Sequence, residues 1–291
     1  MNNVIHTLIK ALSAKRPISP RQWIVEGVAA RGFVTSLIAD RGVGKTQLLA
    51  SLALAVATDR GSIVGMSVSE RTRVWYWNQE AEIAEIHRRF SAVLIKHALD
   101  YRAFASAFFL NSGVRSSFNL AVCGKDLHKF IQEVRERNIG LVILDGFSES
   151  SDEEGQAFWE AARTIALHGN CAVIVPSPRG GGEAQVNAPS LVFTLTAMGD
   201  AEAKKAGIKN RRSWVRLDCV KSNLGPLNTA PRWFFHAPIN VGPYDDPDFA
   251  SCLMPRAAAN LCVRRAIATL RAYLARKGYA RTTTNPVQRA P

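Results

Sequence analysis

The stretch Phe33-Val34-Thr35-Ser36-Leu37-Ile38-Ala39-Asp40-Arg41-Gly42-Val43-Gly44-Lys45-Thr46 decides the fold. Its first six residues are an apolar run bounded by Gly32 and by a glycine-rich turn, the signature of a short buried strand. Its last eight match G-x-x-x-x-G-K-[ST], except that Ala39 stands where the first glycine is usual. From Thr46 to Ala57 the chain is rich in Leu and Ala and reads as a helix. Strand, glycine loop and helix in that order are the context that gives the pattern its chemistry. Gly42 and Gly44 allow backbone N–H groups to wrap an anion, and the helix N-terminus adds partial positive charge. Lys45 is placed for the β- and γ-phosphates of a nucleoside triphosphate and the Thr46 hydroxyl for Mg²⁺. The expected nucleotide contacts are Asp40, Arg41, Gly42, Val43, Gly44, Lys45, Thr46 and Gln47, with ATP and Mg²⁺ as ligands.

Outward from this loop, strand-like and helical segments alternate. Arg73 to Trp77, Phe108 to Leu110, Gly140 to Leu144 and Cys171 to Val175 read as strands; Ala81 to His97, Lys125 to Arg137 and Glu154 to His168 read as helices. Such alternation implies an α/β fold with a mainly parallel sheet covered by helices on both faces. Leu191 to Leu195, Trp214 to Cys219 and Trp233 to His236 read as strands joined by turns, an antiparallel extension of that sheet. An apolar-faced helix over Val4 to Leu12 and the breaker Lys15 to Pro20 suggest an N-terminal piece over 1–20. The main domain is expected over 21–245. Pro243 to Pro255 reads as a linker, and a basic helix over Ala257 to Lys277 with a tail fills 246–291.

The 291 residues are 47% apolar, enough for one large domain or two small ones. Lys and Arg number 37 against 24 Asp and Glu, a net charge of +13. That excess points to an anionic partner, nucleic acid first, or else to basic charge spread evenly over the surface. The five cysteines are widely spaced with no C-x-x-C pair, which argues against zinc and against a disulfide framework. No apolar run is long enough to span a bilayer, and the start lacks the features of a signal peptide. The expectation is a cytoplasmic protein that does not enter a membrane.

Two carboxylates stand out. Asp145 ends the apolar strand Leu141 to Leu144, facing the crevice at the carboxyl end of a parallel sheet, where it can hold Mg²⁺ through water. The other reading of Asp145-Gly146 is a plain Asp-Gly turn. Glu80 follows the strand Val74 to Trp77 and can orient an attacking water, or else supply negative charge to a helix start together with Glu82 and Glu85.

Together these pieces resemble the RecA-fold P-loop ATPases, and within them the hexameric replicative helicases of the RepA type found on broad-host-range plasmids. The resemblance rests on Asp40 to Thr46, on Val74-Trp75-Tyr76-Trp77-Asn78-Gln79-Glu80, on the strand ending at Asp145, and on Val220-Lys221-Ser222-Asn223-Leu224-Gly225 followed by Arg232-Trp233-Phe234. It covers roughly residues 23 to 240. It implies a RecA-like core, ATP hydrolysis with Glu80 as catalytic carboxylate, and a homo-oligomeric, hexameric ring in which Lys221 reaches the neighbouring subunit's nucleotide. Read without the resemblance, Lys221 is an exposed strand-end lysine. The resemblance also puts the loop Arg179-Gly180-Gly181-Gly182 at a central channel that binds DNA, single-stranded for choice. Arg179 is equally placed to stand in for the family's arginine finger, which has no counterpart between Asn187 and Leu195. At the end of the strand before that loop, where the family carries a γ-phosphate sensor, the chain has Pro176-Ser177-Pro178. The implied function is an ATP-driven helicase or helicase-like motor acting on DNA. The other reading is an ATP-dependent switch or loader with weak hydrolysis; a metabolic kinase finds no acceptor site or lid in the sequence.

Overall fold

In the structure, a computed structural model that describes residues 19–113, 125–147, 152–180 and 182–256, the apolar run after Gly32 is the central strand of a nine-stranded sheet. This strand, β3 (Val34–Ala39), is buried along its whole length. The other strands are β4 (Arg73–Asn78), β5 (Phe108–Ser112), β6 (Ile139–Asp145), β7 (Ala172–Pro178), β8 (Leu191–Ala197), β9 (Trp214–Ser222), β10 (Arg232–Asn240) and β11 (Phe249–Pro255). Their order is β11-β10-β9-β8-β3-β7-β6-β4-β5. A small ribbon of β1 (Trp23–Val25) and β2 (Ala29–Ala30) precedes the sheet.

Helices α1 (Lys45–Thr58) and α2 (Ile83–His97) cover one face; α3 (Lys125–Glu136) and α4 (Asp152–Gly169) cover the other. Successive strand residues point to opposite faces. Accordingly Leu37, Tyr76 and Ile143 join Leu49, Ile86 and Phe90 in one core, while Val34, Trp75 and Val142 join Phe130, Trp159 and Ile165 in the other. Trp75 stacks on Phe130 with ring centroids 4.6 Å apart. Burial on both faces is why these strands read as continuous apolar runs rather than alternating ones. The result is the expected α/β architecture: a mainly parallel sheet flanked by helices, with an antiparallel extension at one side.

Two readings of the sequence need correction. Leu191 to Leu195 was assigned to the antiparallel extension, but β8 pairs parallel with β3, and antiparallel pairing starts between β8 and β9. The chain returns to β8 through the short helix α5 (Ala184–Asn187), a crossover that restores the direction of β3. The stretch Pro243 to Pro255 was read as a linker, yet β11 lies within it and pairs with β10 from Asn240↔Phe249 to Phe234↔Pro255. Its Cys252, Leu253 and Met254 are buried in the core shared with α1 and α2. The prolines and aspartates of 243–248 hid the strand. Pro255 ends an outer strand, where a missing N–H removes no inner ladder bond. A further short helix, α6 (Asp200–Ala206), connects β8 to β9. The helix read over Val4 to Leu12 and the basic helix read over Ala257 to Lys277 lie outside the described residues.

Candidate active site

The loop between β3 and α1 sits at the carboxyl ends of the parallel strands, where such folds bind ligands. Gly42 and Gly44 have φ of +78° and +111°, a region open to glycine at little cost. Ala39 is the buried last residue of β3, paired with Pro178 and Leu195, and is not among the residues with positive φ. An alanine therefore fits where glycine is usual. Helix α1 begins at Gly44 with no side-chain cap and no acidic residue in its first turn. Its first N–H groups are left for an anion rather than for the protein itself.

Lys45 Nζ donates to the carbonyls of Ala39 at 2.7 Å and Asp40 at 3.1 Å. Burial lowers the pKa of this ammonium, while Asp145, Asp40 and Glu80 act to raise it. A cleft of about 480 Å³ is lined by Arg41, Gly42, Gly44, Lys45, Thr46, Gln47, Glu80, Arg89, Asp145, Gly146, Phe147, Pro176 and Pro178. That is the size of a small-molecule site. Asp40 and Val43 belong to the loop but do not line the cleft.

Asp145 is 4% exposed and both its visible partners hold one oxygen: Tyr76 Oη donates to Oδ2 at 2.6 Å and Asn78 Nδ2 donates to it at 2.9 Å. Asp145 itself lines the cleft. Burial and the neighbouring Asp145 push the Tyr76 pKa well up, so the phenol stays a neutral donor. Mg²⁺ is normally held by one or two protein oxygens plus substrate phosphates and water. Thr46 and Asp145, which line the same cleft as Lys45, supply a hydroxyl and a carboxylate that fit that requirement. Gly146 has φ +80°, so the Asp-Gly turn is also present; a Cβ there would come within 2.8 Å of Glu80 Cγ. The missing Cβ is what lets Glu80 lie against Gly146, the residue after Asp145.

Asn78, the last residue of β4, has a role that its residue type does not announce. It is 2% exposed. Its amide nitrogen holds Asp145, and its Oδ1 accepts from the backbone N–H of Glu80 at 3.1 Å and Ala81 at 2.7 Å. One side chain thus sets the positions of both carboxylates. Asn78→Ala is expected to lower kcat by about 10–100-fold with a smaller change in KM, and to cost about 1–3 kcal/mol of stability by stripping a buried carboxylate of a partner. Steady-state kinetics and thermal melting check this; a parent-like kcat would remove Asn78 from the site. Arg89 on α2 was also missed. It lines the cleft, with its Nε donating to Glu85 Oε1 at 2.9 Å. Its place on a helix four residues after a glutamate reads as a surface ion pair, which is why sequence spacing alone conceals it.

Other candidates lie elsewhere. Val173 and Val175 belong to the core on the α4 face, so Ser177 points the same way; it is 1% exposed and its hydroxyl has no hydrogen-bond partner among the described residues. Pro176 and Pro178, which have no N–H, line the cleft instead. Arg179 is half exposed and its Nε lies 3.3 Å from Asp40 Oδ1, so the start of the glycine loop is tied to the phosphate loop. Gly180 and Gly182 have φ of +90° and +83°; Gly181 is not among the described residues. Lys221 lies away from the cleft. Its Nζ donates to the carbonyls of Val186, Asn187 and Pro189, each at 2.9 Å, which uses all three ammonium protons at the end of α5. Arg211, just before β9, is paired with Asp200.

Among the described residues, no helix is long and apolar enough to cross a membrane, and no group of three or more His, Cys, Asp or Glu is placed to hold a metal ion. The family model described as "AAA domain" matches residues 5–177. That span holds Lys45, Thr46, Glu80 and Asp145 and stops before the glycine loop and β8–β11. No curated protein matches. Among solved structures, the crystal structure of the RadB recombinase is similar at a TM-score of 0.49 with 15% identity, covering 71% of this chain and 88% of that chain.

Proposed function

This chain belongs to the AAA domain family, and from that membership and its cleft we propose an ATPase that acts on DNA as a helicase or helicase-like motor of a plasmid, phage or mobile element. Lys45 neutralises the β- and γ-phosphates, and Thr46 and Asp145 hold Mg²⁺. Glu80 orients the attacking water and accepts its proton. Mg²⁺, when bound, supplies charge neutralisation to the leaving phosphates. Turnover is then a matter of positioning and electrostatics rather than covalent chemistry.

The observation that carries the DNA reading is the ion pair between Arg179 and Asp40. It links the loop proposed to meet DNA with the loop proposed to meet phosphate, so occupancy of either bears on the other. The net charge of +13 supports an anionic partner. The absence of any recognition-helix or zinc pattern in the sequence supports backbone binding without base reading. The assembly proposed from the family resemblance is a homo-oligomeric, hexameric ring. For Lys221 to act on a neighbour's nucleotide in it, the ammonium has to leave its three carbonyls. The second reading, a switch or loader with weak hydrolysis, is favoured by one observation: prolines, not a polar sensor, face the cleft at the end of β7.

ATP hydrolysis measured with and without single-stranded DNA, at two salt concentrations, separates these readings. A motor is expected to show stimulated turnover that fades steeply with salt, because backbone binding releases counterions. Arg179→Ala is expected to lower the ratio of stimulated to unstimulated turnover. If single-stranded DNA neither binds at low salt nor changes the rate, the DNA reading fails, and light scattering that finds only monomer with ATP, Mg²⁺ and DNA present removes the ring.

A further inference from the structure

Beyond the span that the family model matches, one residue of the antiparallel extension touches the phosphate loop directly. His236 lies on β10, half-buried. Its Nε2 is 3.1 Å from the Val43 carbonyl oxygen, and its Nδ1 is 2.8 Å from Ser251 Oγ on β11. A carbonyl only accepts, so Nε2 carries the proton. In the neutral ring Nδ1 then accepts from the Ser251 hydroxyl, which fixes the tautomer. Burial lowers the pKa of His236, which favours this neutral form. The ring also lies close against Gly44: a Cβ on Gly44 would stand 2.7 Å from His236 Cε1 and 3.3 Å from Leu253 Cδ1. Gly44 therefore has two reasons to be glycine, its φ of +111° and the imidazole pressed on it.

In a trans peptide the carbonyl and the following N–H point in opposite directions. A Val43 carbonyl held toward His236 turns the Gly44 N–H away from the extension, toward the side on which Gly44 lines the cleft. We propose that His236 is a positioning residue of the phosphate loop: it holds the Val43–Gly44 peptide with its N–H turned to the phosphates, and so makes ATP affinity depend on the seating of β10 and β11. Rotation of this peptide would replace the N–H donor by a carbonyl oxygen, which repels an anion. Gly44, free at positive and negative φ alike, offers little resistance to that rotation. The sequence pattern of the loop contains no anchor for the peptide; the extension provides it from 193 residues away.

The inference rests on the nucleotide-site reading above, and the test separates the two. Mg·ATP affinity is measured by titration with a fluorescent ATP analogue for the parent chain, His236→Phe, His236→Gln and Ser251→Ala. Phe keeps most of the ring volume and removes the donor; Gln keeps a donor at similar reach. His236→Phe is expected to raise Kd by about 5–10-fold, the worth of about one hydrogen bond. His236→Gln is expected to restore most of that loss, and Ser251→Ala to raise Kd about 2–3-fold by loosening the tautomer. In turnover assays KM should rise more than kcat falls. If His236→Phe is folded by circular dichroism and binds with the parent Kd, the proposal is overturned. If that variant does not fold, a parent-like Kd for Ser251→Ala together with a weakened, unrescued His236→Gln overturns it. A parent chain that binds no Mg·ATP overturns instead the nucleotide-site reading beneath it.

Discussion

Lys45→Ala is expected to lower ATP turnover by at least about 100-fold, with nucleotide binding weakened beside it. Removing one preorganised charge from a developing anion typically costs about 10²–10³ in rate. The ammonium of Lys45 is held by the carbonyls of Ala39 and Asp40, at the mouth of a helix whose own N–H groups are uncapped. It lines the same cleft as Asp145 and Glu80, which both favour its charged form. Among the described residues no other lysine lines this cleft, and the two arginines that do, Arg41 and Arg89, carry wide guanidinium groups in place of a compact ammonium. Little compensation is therefore expected. The measurement is ATP affinity and steady-state turnover; unchanged values for both would sink the assignment of the loop.

Glu80→Gln and Asp145→Asn are expected to fail in different ways. Glu80 is exposed in the cleft, and a positioned general base contributes about 10²–10⁴ in rate. Its amide variant should therefore keep ATP affinity and melting temperature while kcat falls by about that factor, the mark of a group acting mainly in the transition state. Asp145 is buried, with two donors on Oδ2. An amide there can meet both only through its oxygen, and it loses the negative charge that Mg²⁺ requires. Mg²⁺-dependent binding should weaken, and the melting temperature should fall as well if an amide N–H is left facing the Tyr76 or Asn78 donor. A Glu80→Gln variant that hydrolyses ATP at the parent rate would reduce Glu80 to a charge at the start of α2.

The local part of this protein was open to reading because it is encoded locally. A glycine loop between an apolar run and a Leu/Ala-rich segment specifies strand, turn and helix within Gly32 to Ala57, since both the backbone freedom and the periodicity belong to neighbouring residues. The same holds for Asp145, whose position after four buried apolar residues marks the carboxyl end of a strand. Direction of pairing was not legible at β8, because a strand's own residues do not say which neighbour it takes; the α5 crossover decided that. Nor was β11, whose buried Cys252, Leu253 and Met254 are preceded by a Pro- and Asp-rich stretch and gain their meaning only by packing on α1 and α2.

Within the cleft, residue type predicted Lys45, Thr46, Glu80 and Asp145 as candidates, and sheet order brought their side chains to one place. Sequence alone could not show that Asn78 bridges the two carboxylates, that prolines rather than Ser177 face the cleft, or that the three protons of Lys221 are used by carbonyls of 186, 187 and 189. Each depends on which face of a strand a side chain takes and on what lies across from it, and these are settled by contacts between residues far apart in the chain. The contact of His236 with Val43 is the extreme case: the loop's own sequence determined what it can bind, and only the folded sheet decided what holds it in shape.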